Sequence, residues 1–532
     1  MKTGFRSSGC LFGYSQKIGR EIMTGIPFGY SKPKNGNENT LTGDRRQKMI
    51  RFGTGGWRAV IGDGFTKYNL QLLAAAMSDK MKAEHVDDRE MVIGYDRRFL
   101  SKEAMQWMAE VFAANGIKTL LINRSAPTPL AMFYTMKHNL PYGMMVTASH
   151  NPAIYNGVKV FTEGGRDADI KVTQDIEQYA QKIEDRRLEA EKAGEPFGIP
   201  AMPYQDGKKA GLIMEIYPIN EYLDSILSDI NVEAIRNAGL RVALDPMYGV
   251  SETSIKTILI TARCDVYTIH GNHDTLFGGK LPAPNESAMA PLSQVVVDGG
   301  FDIGIATDGD ADRIGVIDNN GRYLSPNDIL VVLYYYLEKY KGKKGPAVRN
   351  ICTTHILDRL AAKFGEQCYE VPVGFKWISS RMTETDALIG GESSGGLAIR
   401  GHIHGKDGVY AAALLVEMLA VTGRKMSQIF DDIASEVGKM SFVENNYRFR
   451  PENKQKFIHV IMEEKAVPEL PYPIEKISYV DGCKVYFENG GWVSVRFSGT
   501  EPLLRVFSEM PEKAQADEVC LIYRKFLHLD EE

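Results

Sequence analysis

The sequence predicts an α/β protein: three similar mixed α/β domains, then a C-terminal α+β domain, set around a central cleft. Three observations lead there. The chain has 532 residues, more than one hydrophobic core serves. Strand-like and helix-like segments alternate three times in the same order, the pattern of parallel α/β units. From about Ser441 that order gives way to strand-rich sequence closed by a helical segment.

The first unit opens with Met91-Val-Ile-Gly-Tyr95 as a strand. Ser101 is expected to cap the next helix, Gly116 to end it, and Lys118–Ile122 to form the following strand. The second unit runs from Leu240–Leu244 through a helix from about Ser251 to Cys264–Ile269. The third runs from Ala347–Cys352 through a helix ending near Gly365 to Cys368–Val371. The copies share a pattern and almost no sequence. Charged Arg186–Lys192, followed by Gly194, Pro196, Gly198 and Pro200, predicts a linker. In the tail, Pro451–Glu464 reads as a polar helix, Trp492–Arg496 and Leu504–Phe507 as strands, and Ala514–Phe526 as a helix. The expected domains are therefore 49–200, 201–303 (with an acidic loop at its end), 304–440 and 441–532. Residues 1–48, Gly-rich and polar, are expected to be a disordered extension or the product of an upstream start, with Met49 opening the folded part. Mass spectrometry of the native N-terminus tests this: a chain beginning at Met1 with an ordered extension contradicts it.

Composition narrows the function. A hydrophobic share of 44% and a charged share of 25% are those of an ordinary soluble protein. The formal net charge of -5 offers no basic face for nucleic acid. No apolar run reaches the ~18 residues of a membrane helix, and no signal peptide is legible. Six scattered cysteines without a CxxC read as reduced thiols, and a cytoplasmic location is expected.

Four segments carry chemistry. Between strand-like Ile303–Ala306 and Ile314–Ile317 lies Thr307-Asp-Gly-Asp-Ala-Asp-Arg313. Asp308, Asp310 and Asp312 at alternate positions of a tight turn repel one another, and a divalent cation with oxygen ligands relieves that. An EF-hand fails, because Arg313 stands where its glycine is required and Asn319 where its bidentate glutamate belongs. Three carboxylates leave coordination positions open, which suits Mg²⁺ shared with a phosphate oxygen. Val495-Arg-Phe-Ser-Gly-Thr-Glu-Pro502, with Arg505 beyond it, offers turn N–H groups, two hydroxyls and guanidinium groups to an anion. An ordinary hairpin with surface arginines fits this segment equally well. Gly53-Thr-Gly-Gly-Trp-Arg58 is a weaker candidate of the same kind. Gly390-Gly-Glu-Ser-Ser-Gly-Gly396 sets one carboxylate beside two hydroxyls, a set that can hold a sugar or be a plain loop. Val146-Thr-Ala-Ser-His-Asn-Pro152 follows an apolar run, and Ser149 there could be a nucleophile activated by His150, a phosphate carrier or a helix cap.

Together, in this order and spacing, these segments closely resemble the α-D-phosphohexomutase superfamily from about Met49 to the end. Thr147–Pro152 is similar to its phosphoserine loop, Asp308–Arg313 to its metal loop, Gly391–Gly395 to its sugar loop and Arg496–Pro502 to its phosphate-binding loop. The resemblance implies Mg²⁺ on Asp308, Asp310, Asp312 and phosphorylated Ser149, with a hexose 1,6-bisphosphate as intermediate and activator. It implies that Arg58, His150 and Lys159 line the reacting centre, with Lys159 the better candidate for moving the hydroxyl proton. The substrate-binding set would be Arg313, Gly374, Lys376, Glu392, Ser394, His404, Lys406, Arg496, Ser498, Gly499, Thr500 and Arg505. Val373-Gly-Phe-Lys-Trp377 resembles the specificity segment of phosphoglucomutases, which favours glucose over mannose, and the Asp-Arg pair usual in glucosamine mutases is absent. Gly396 departs from subfamilies with a histidine there. His402 could add a contact, and a metal on His402 and His404 lacks a third ligand. The implied partner is a hexose phosphate, with no nucleic acid or membrane; oligomeric state does not follow from the sequence. A metal-dependent phosphatase and a non-enzymatic sugar-phosphate sensor are the rivals.

Overall fold

The computed structural model describes residues 50–53, 55–497 and 503–529, all within one compact unit, 48–532. The expected extension 1–48 lies outside the described residues. Four sheets organise the chain. In the first, the strand order runs Phe52–Gly53, Gly56–Val60, Tyr155–Thr162, Tyr142–Val146, Met91–Tyr95, Thr119–Ile122, Ile213–Ile216. The second runs Asp265–Thr268, Arg241–Asp245, Ile303–Thr307, Ile314–Asp318, Tyr323–Leu324. The third runs Cys368–Val371, Ala347–Asn350, Ile389–Gly391, Leu397–Ile399. The fourth, Ser441–Arg448, Leu503–Met510, Trp492–Phe497, Cys483–Phe487, Ile474–Ser478, is wholly antiparallel. Three mixed α/β layers and one α+β domain are thus the architecture.

Sheet membership runs past the boundaries expected at 200/201 and 303/304. Ile213–Ile216 pairs with Thr119–Ile122 in the first sheet, and the strands between 303 and 324 stay in the second. We propose boundaries near 218 and 325 instead. Two local expectations are also corrected. Arg186–Lys192 is no linker: it completes the helix Ile170–Ala193, which ends on left-handed Gly194. Ser101 begins its helix, but its hydroxyl donates to Asp96 Oδ1 at 2.8 Å instead of capping.

The first three layers share more than strand order. At the carboxyl end of one strand in each layer, Asp96, Asp245 or Asn350 accepts the N–H two residues on, at 2.9, 2.8 and 2.9 Å. The same turn is built three times on unlike sequence. In register, Tyr95 pairs with Val146, Asp245 with Ala306, and Arg349 with Gly391. Two residues past the position facing each turn residue stand Ser149, Asp308 and Ser394. All lie at carboxyl ends of parallel strands where the strand order reverses, the usual ligand position in open α/β sheets.

Helix Gly408–Thr422, apolar nearly all round, is buried in the core that joins the first three layers. The fourth domain docks on the third through a polar cluster. Lys484 Nζ donates to Ile351 O at 2.6 Å, Glu370 Oε2 at 2.8 Å and His355 Nε2 at 3.1 Å. Glu509 accepts from Trp492 Nε1 and the His355 N–H. Among the described residues no helix is long and apolar enough to cross a membrane.

Replacing Lys484 by Met removes the donor to the Ile351 carbonyl and one of the partners of Glu370, which keeps Arg349, and should cost about 1–3 kcal/mol in chemical denaturation. The same interface should weaken in acid. Burial holds the His355 pKa down at about 3 from 6.5, so unfolding takes up a proton as pH falls below 6.5. Melts at pH 7 and pH 5 should show a fall in stability that His355→Gln reduces.

Candidate active site

Strand Tyr142–Val146 is buried throughout and ends in a turn with no helix after it, so Ser149 is not a helix cap. Ser149 is fully buried and holds a φ of +52°, a left-handed conformation that costs a non-glycine residue on the order of 1–2 kcal/mol. Its Oγ donates to Asp308 Oδ2 at 2.7 Å, and its N–H donates to Thr147 Oγ1 at 2.8 Å. His150 Nδ1 lies 3.3 Å from the same Oγ. The Arg313 charge, then burial, holds the His150 pKa far below its ordinary value, so the ring is neutral. Among the described residues no carboxylate hydrogen-bonds to His150, and the third member of a triad is missing. Arg58 Nη1 donates to Asn151 Oδ1 at 2.6 Å, which brings its guanidinium to the serine loop.

The acidic loop joins the antiparallel strands Ile303–Thr307 and Ile314–Asp318 and meets the serine loop across the domain boundary. Asp308, Asp310 and Asp312 are buried, with one oxygen of each within 4.8 Å of the others. Asp310 Oδ1 and Asp312 Oδ1 are buried without a hydrogen-bond partner, a costly state for a carboxylate. This all-oxygen donor set fits a hard divalent cation. Lys159 Nζ donates to Asp310 at 2.7 Å and Asp312 at 2.5 Å; Lys406 Nζ lies 2.9 Å from Asp312. Burial and the neighbouring Asp310 and Asp312 push the Asp308 pKa well above the carboxylate range. Burial opposes charge on Asp312 too, but Lys159, Lys406 and Arg313 hold it well below. The same two aspartates overcome the burial of Lys159 and raise its pKa. Gly309 is required by close approach: a Cβ there would stand 2.9 Å from the Ser149 carbonyl oxygen.

On the third layer, Glu392 Oε1 accepts from Gly374 N–H at 3.0 Å and Asn350 Nδ2 at 3.3 Å, and Oε2 accepts from Ser394 Oγ at 3.3 Å. Gly374, at φ +128°, thereby ties the Glu392 carboxylate to the segment bearing Lys376, whose pKa burial holds below the usual lysine value. His404 Nδ1 is 3.0 Å from Thr383 Oγ1. His402 is different: it is buried, 2.7 Å from Asp407 Oδ2 and stacked on Phe133, which leaves it no reach to a ligand. Gly396 is explained by Lys406, because a Cβ at 396 would meet its Cδ at 2.2 Å. The lysine stem occupies the room a side chain would need.

On the fourth domain Arg496 and Arg505 are directly paired across adjacent strands. Arg496 Nη2 is 3.4 Å from Asp481 Oδ2, which also accepts the Val373 N–H at 3.0 Å, and Arg505 Nη1 is 3.2 Å from Glu444. Ser498, Gly499 and Thr500 lie outside the described residues. Several supporting residues escape a reading of motifs: Asp96, Arg98, Thr128, Asn350 and Asp481. Thr128 Oγ1 donates to Asp310 Oδ2 at 2.6 Å. The available signal was Asp96-Arg97-Arg98, a charged run at the carboxyl end of an apolar strand.

Four models of one family match the chain in succession. They are phosphoglucomutase/phosphomannomutase α/β/α domain I over residues 49–187, domain II over 220–321, domain III over 325–437 and the C-terminal domain over 449–523. The chain belongs to the phosphoglucomutase/phosphomannomutase family. A Thermococcus kodakarensis phosphoglucomutase/phosphomannomutase is 28% identical over 90% of this chain and 98% of its own length. A Komagataeibacter xylinus phosphoglucomutase is 26% identical over 87% of each. A Sulfurisphaera tokodaii phosphoglucosamine/phosphogalactosamine mutase is 28% identical over 76% of this chain and 83% of its own. Among solved structures, one from Thermus thermophilus, described as a candidate phosphomannomutase, superposes with a TM-score of 0.76 at 27% identity over 90% of this chain and 99% of its own. As a member of this hexose-phosphate mutase family, the chain is an isomerase by kinship, while the relatives' sugars differ.

The unpartnered oxygens predict a measurable ion effect. At 100 times its dissociation constant a divalent cation should stabilise the native chain by about 2.7 kcal/mol, seen as a raised melting temperature. Asp310→Asn should abolish most of that rise; an undiminished rise would place the ion elsewhere.

Proposed function

We propose that this family member interconverts glucose 1-phosphate and glucose 6-phosphate through a phosphoserine at Ser149 and a hexose 1,6-bisphosphate. The observation that carries the reading is the buried Ser149 hydroxyl at 2.7 Å from Asp308, within a cluster of three carboxylates. In the phosphoenzyme, the Ser149 phosphoryl group passes to the free hydroxyl of a bound hexose monophosphate; the O–P bond to serine breaks as that to the sugar forms, and the proton lost by the sugar hydroxyl is balanced by the one gained on Ser149 Oγ. The bisphosphate turns over in the cleft and returns its other phosphoryl group to Ser149. Asp308, Asp310 and Asp312 would hold Mg²⁺, which when bound supplies positive charge against the transferring group. Arg58, Arg313 and Lys159 add fixed cations around the serine, with His150 beside it; Lys159, paired with Asp310 and Asp312, acts here as a cation and not as the proton carrier the resemblance implied. Glu392, with lone pairs still free, and Ser394 would take sugar hydroxyls. Arg496, Arg505 and the Ser498-Gly-Thr500 turn would hold the phosphate that is not reacting, fixing the line of attack.

Glucose is favoured by Lys376 in Val373-Gly-Phe-Lys-Trp377. That side chain is half-buried, 5.8 Å from the Trp377 ring, and stands two residues after Gly374, whose N–H donates to Glu392. Lys406 and His404 would complete the sugar-phosphate contacts, in a cytoplasmic enzyme. The relatives are named for glucose, mannose and amino sugars alike; phosphomannomutase or a dual-specificity mutase is the second reading, and the missing Asp-Arg pair sets phosphoglucosamine mutase behind it.

A coupled assay across glucose, mannose and glucosamine 1-phosphates should give the highest kcat/KM with glucose; preference for mannose supports the second reading. Inorganic phosphate released without glucose 6-phosphate would mean a phosphatase. Ser149→Ala should lower turnover by about a thousandfold or more, whereas retained turnover would defeat the phosphoserine mechanism.

A further inference from the structure

We infer that Arg98 is a positioning residue for phosphoryl transfer: its guanidinium holds the serine loop in the left-handed conformation that aims Ser149 at Asp308. The inference rests on the phosphoserine reading. Arg98 is 3% exposed, and its guanidinium donates to four backbone carbonyls of one loop. Nη2 reaches Ser149 O at 2.6 Å and Asn151 O at 2.6 Å; Nη1 reaches Pro152 O at 2.9 Å and Tyr155 O at 3.0 Å. Asp96 lies 3.4 Å from Nε, and the Phe277 ring stacks 4.9 Å from the guanidinium carbon. Only a planar fork reaches four acceptors at once, so a lysine cannot replace it.

The three-fold repeat separates this role from plain folding. Arg98 is the residue whose N–H closes the turn on Asp96. The corresponding residues are Met247 in the second layer and Cys352 in the third. The turn therefore forms without an arginine at that position, and without an aspartate as well, since Asn350 serves in the third. Arginine is used in the layer where the facing loop holds the serine. There the loop must keep a non-glycine residue at φ +52° while its carbonyl lies against Gly309. Four charge-assisted hydrogen bonds to carbonyls offset that strain.

Removing the fork frees the Ser149 backbone to relax and swing Oγ from the line of transfer. Displacement of a reacting group by about 1 Å can lower the rate about a hundredfold. Substrate contacts on the third and fourth domains are untouched, so KM should hold.

The double substitution Asp96→Asn with Arg98→Met leaves no unpaired charge and imitates the turns of the other two layers. The full-length double variant should fold, shown by circular dichroism and a cooperative melt, and lose about a hundredfold in kcat with KM within about threefold. Arg98→Lys should lose kcat similarly. Three results would overturn the inference: kcat within threefold of the native chain, a change confined to KM, or a double variant that no longer folds, since the guanidinium would then hold the domain and not the loop. Ser149→Ala is measured alongside: if it is inactive while the double variant turns over normally, the positioning role alone fails, and if it is active the phosphoserine reading fails.

Discussion

A serine hydroxyl from the first layer meets a carboxylate from the second inside the protein. That contact, Ser149 Oγ to Asp308 Oδ2, sets the requirements on both loops. Gly309 must lack a side chain because the Ser149 carbonyl lies against it, and Gly249 must as well, because a Cβ there would stand 2.6 Å from the Gly309 carbonyl oxygen. The charges follow the same logic. Three aspartates cannot be buried together unaided, and Lys159, Lys406 and Thr128 are brought from other elements to meet them.

The repeated turn explains why three unlike chemistries share one fold. Each layer presents a loop at the same reversal of strand order, and each backs it with a side-chain oxygen closing a turn at the carboxyl end of one strand. The scaffold fixes where a residue stands, and the loop decides what it does there: a hydroxyl in the first, a carboxylate in the second, a carboxylate with hydroxyls in the third. The fourth domain, of a different architecture, adds Arg496 and Arg505, paired across adjacent strands.

Much of this was legible in the sequence because the relevant signals are local. Alternation of strands and helices depends on periodicity along one segment, and the acidic loop, the sugar loop and the serine loop are each continuous. What was illegible is what depends on distant partners. Arg186–Lys192 reads as a linker by composition, yet Tyr68 and helix Lys67–Ala83 give that charged helix a face to pack on. His402 looks like a ligand beside His404 until Asp407, Phe133 and Tyr410 enclose it. Lys406 filling the space beside Gly396, and Arg98 gripping a loop some fifty residues away, are contacts that no spacing rule encodes. The boundaries proposed near 218 and 325 differ from the expected ones for the same reason, since a strand belongs to whichever sheet accepts its hydrogen bonds.

The central claim is that Ser149 is a phosphoryl carrier set against a cation site. Intact-protein and peptide mass spectrometry after incubation with a hexose 1,6-bisphosphate and Mg²⁺ tests it most directly, followed by addition of glucose 6-phosphate. One phosphoryl group mapped to Ser149, and discharged by the monophosphate, is the predicted result. A chain that stays unmodified, or is modified elsewhere, while mutase turnover proceeds would contradict it.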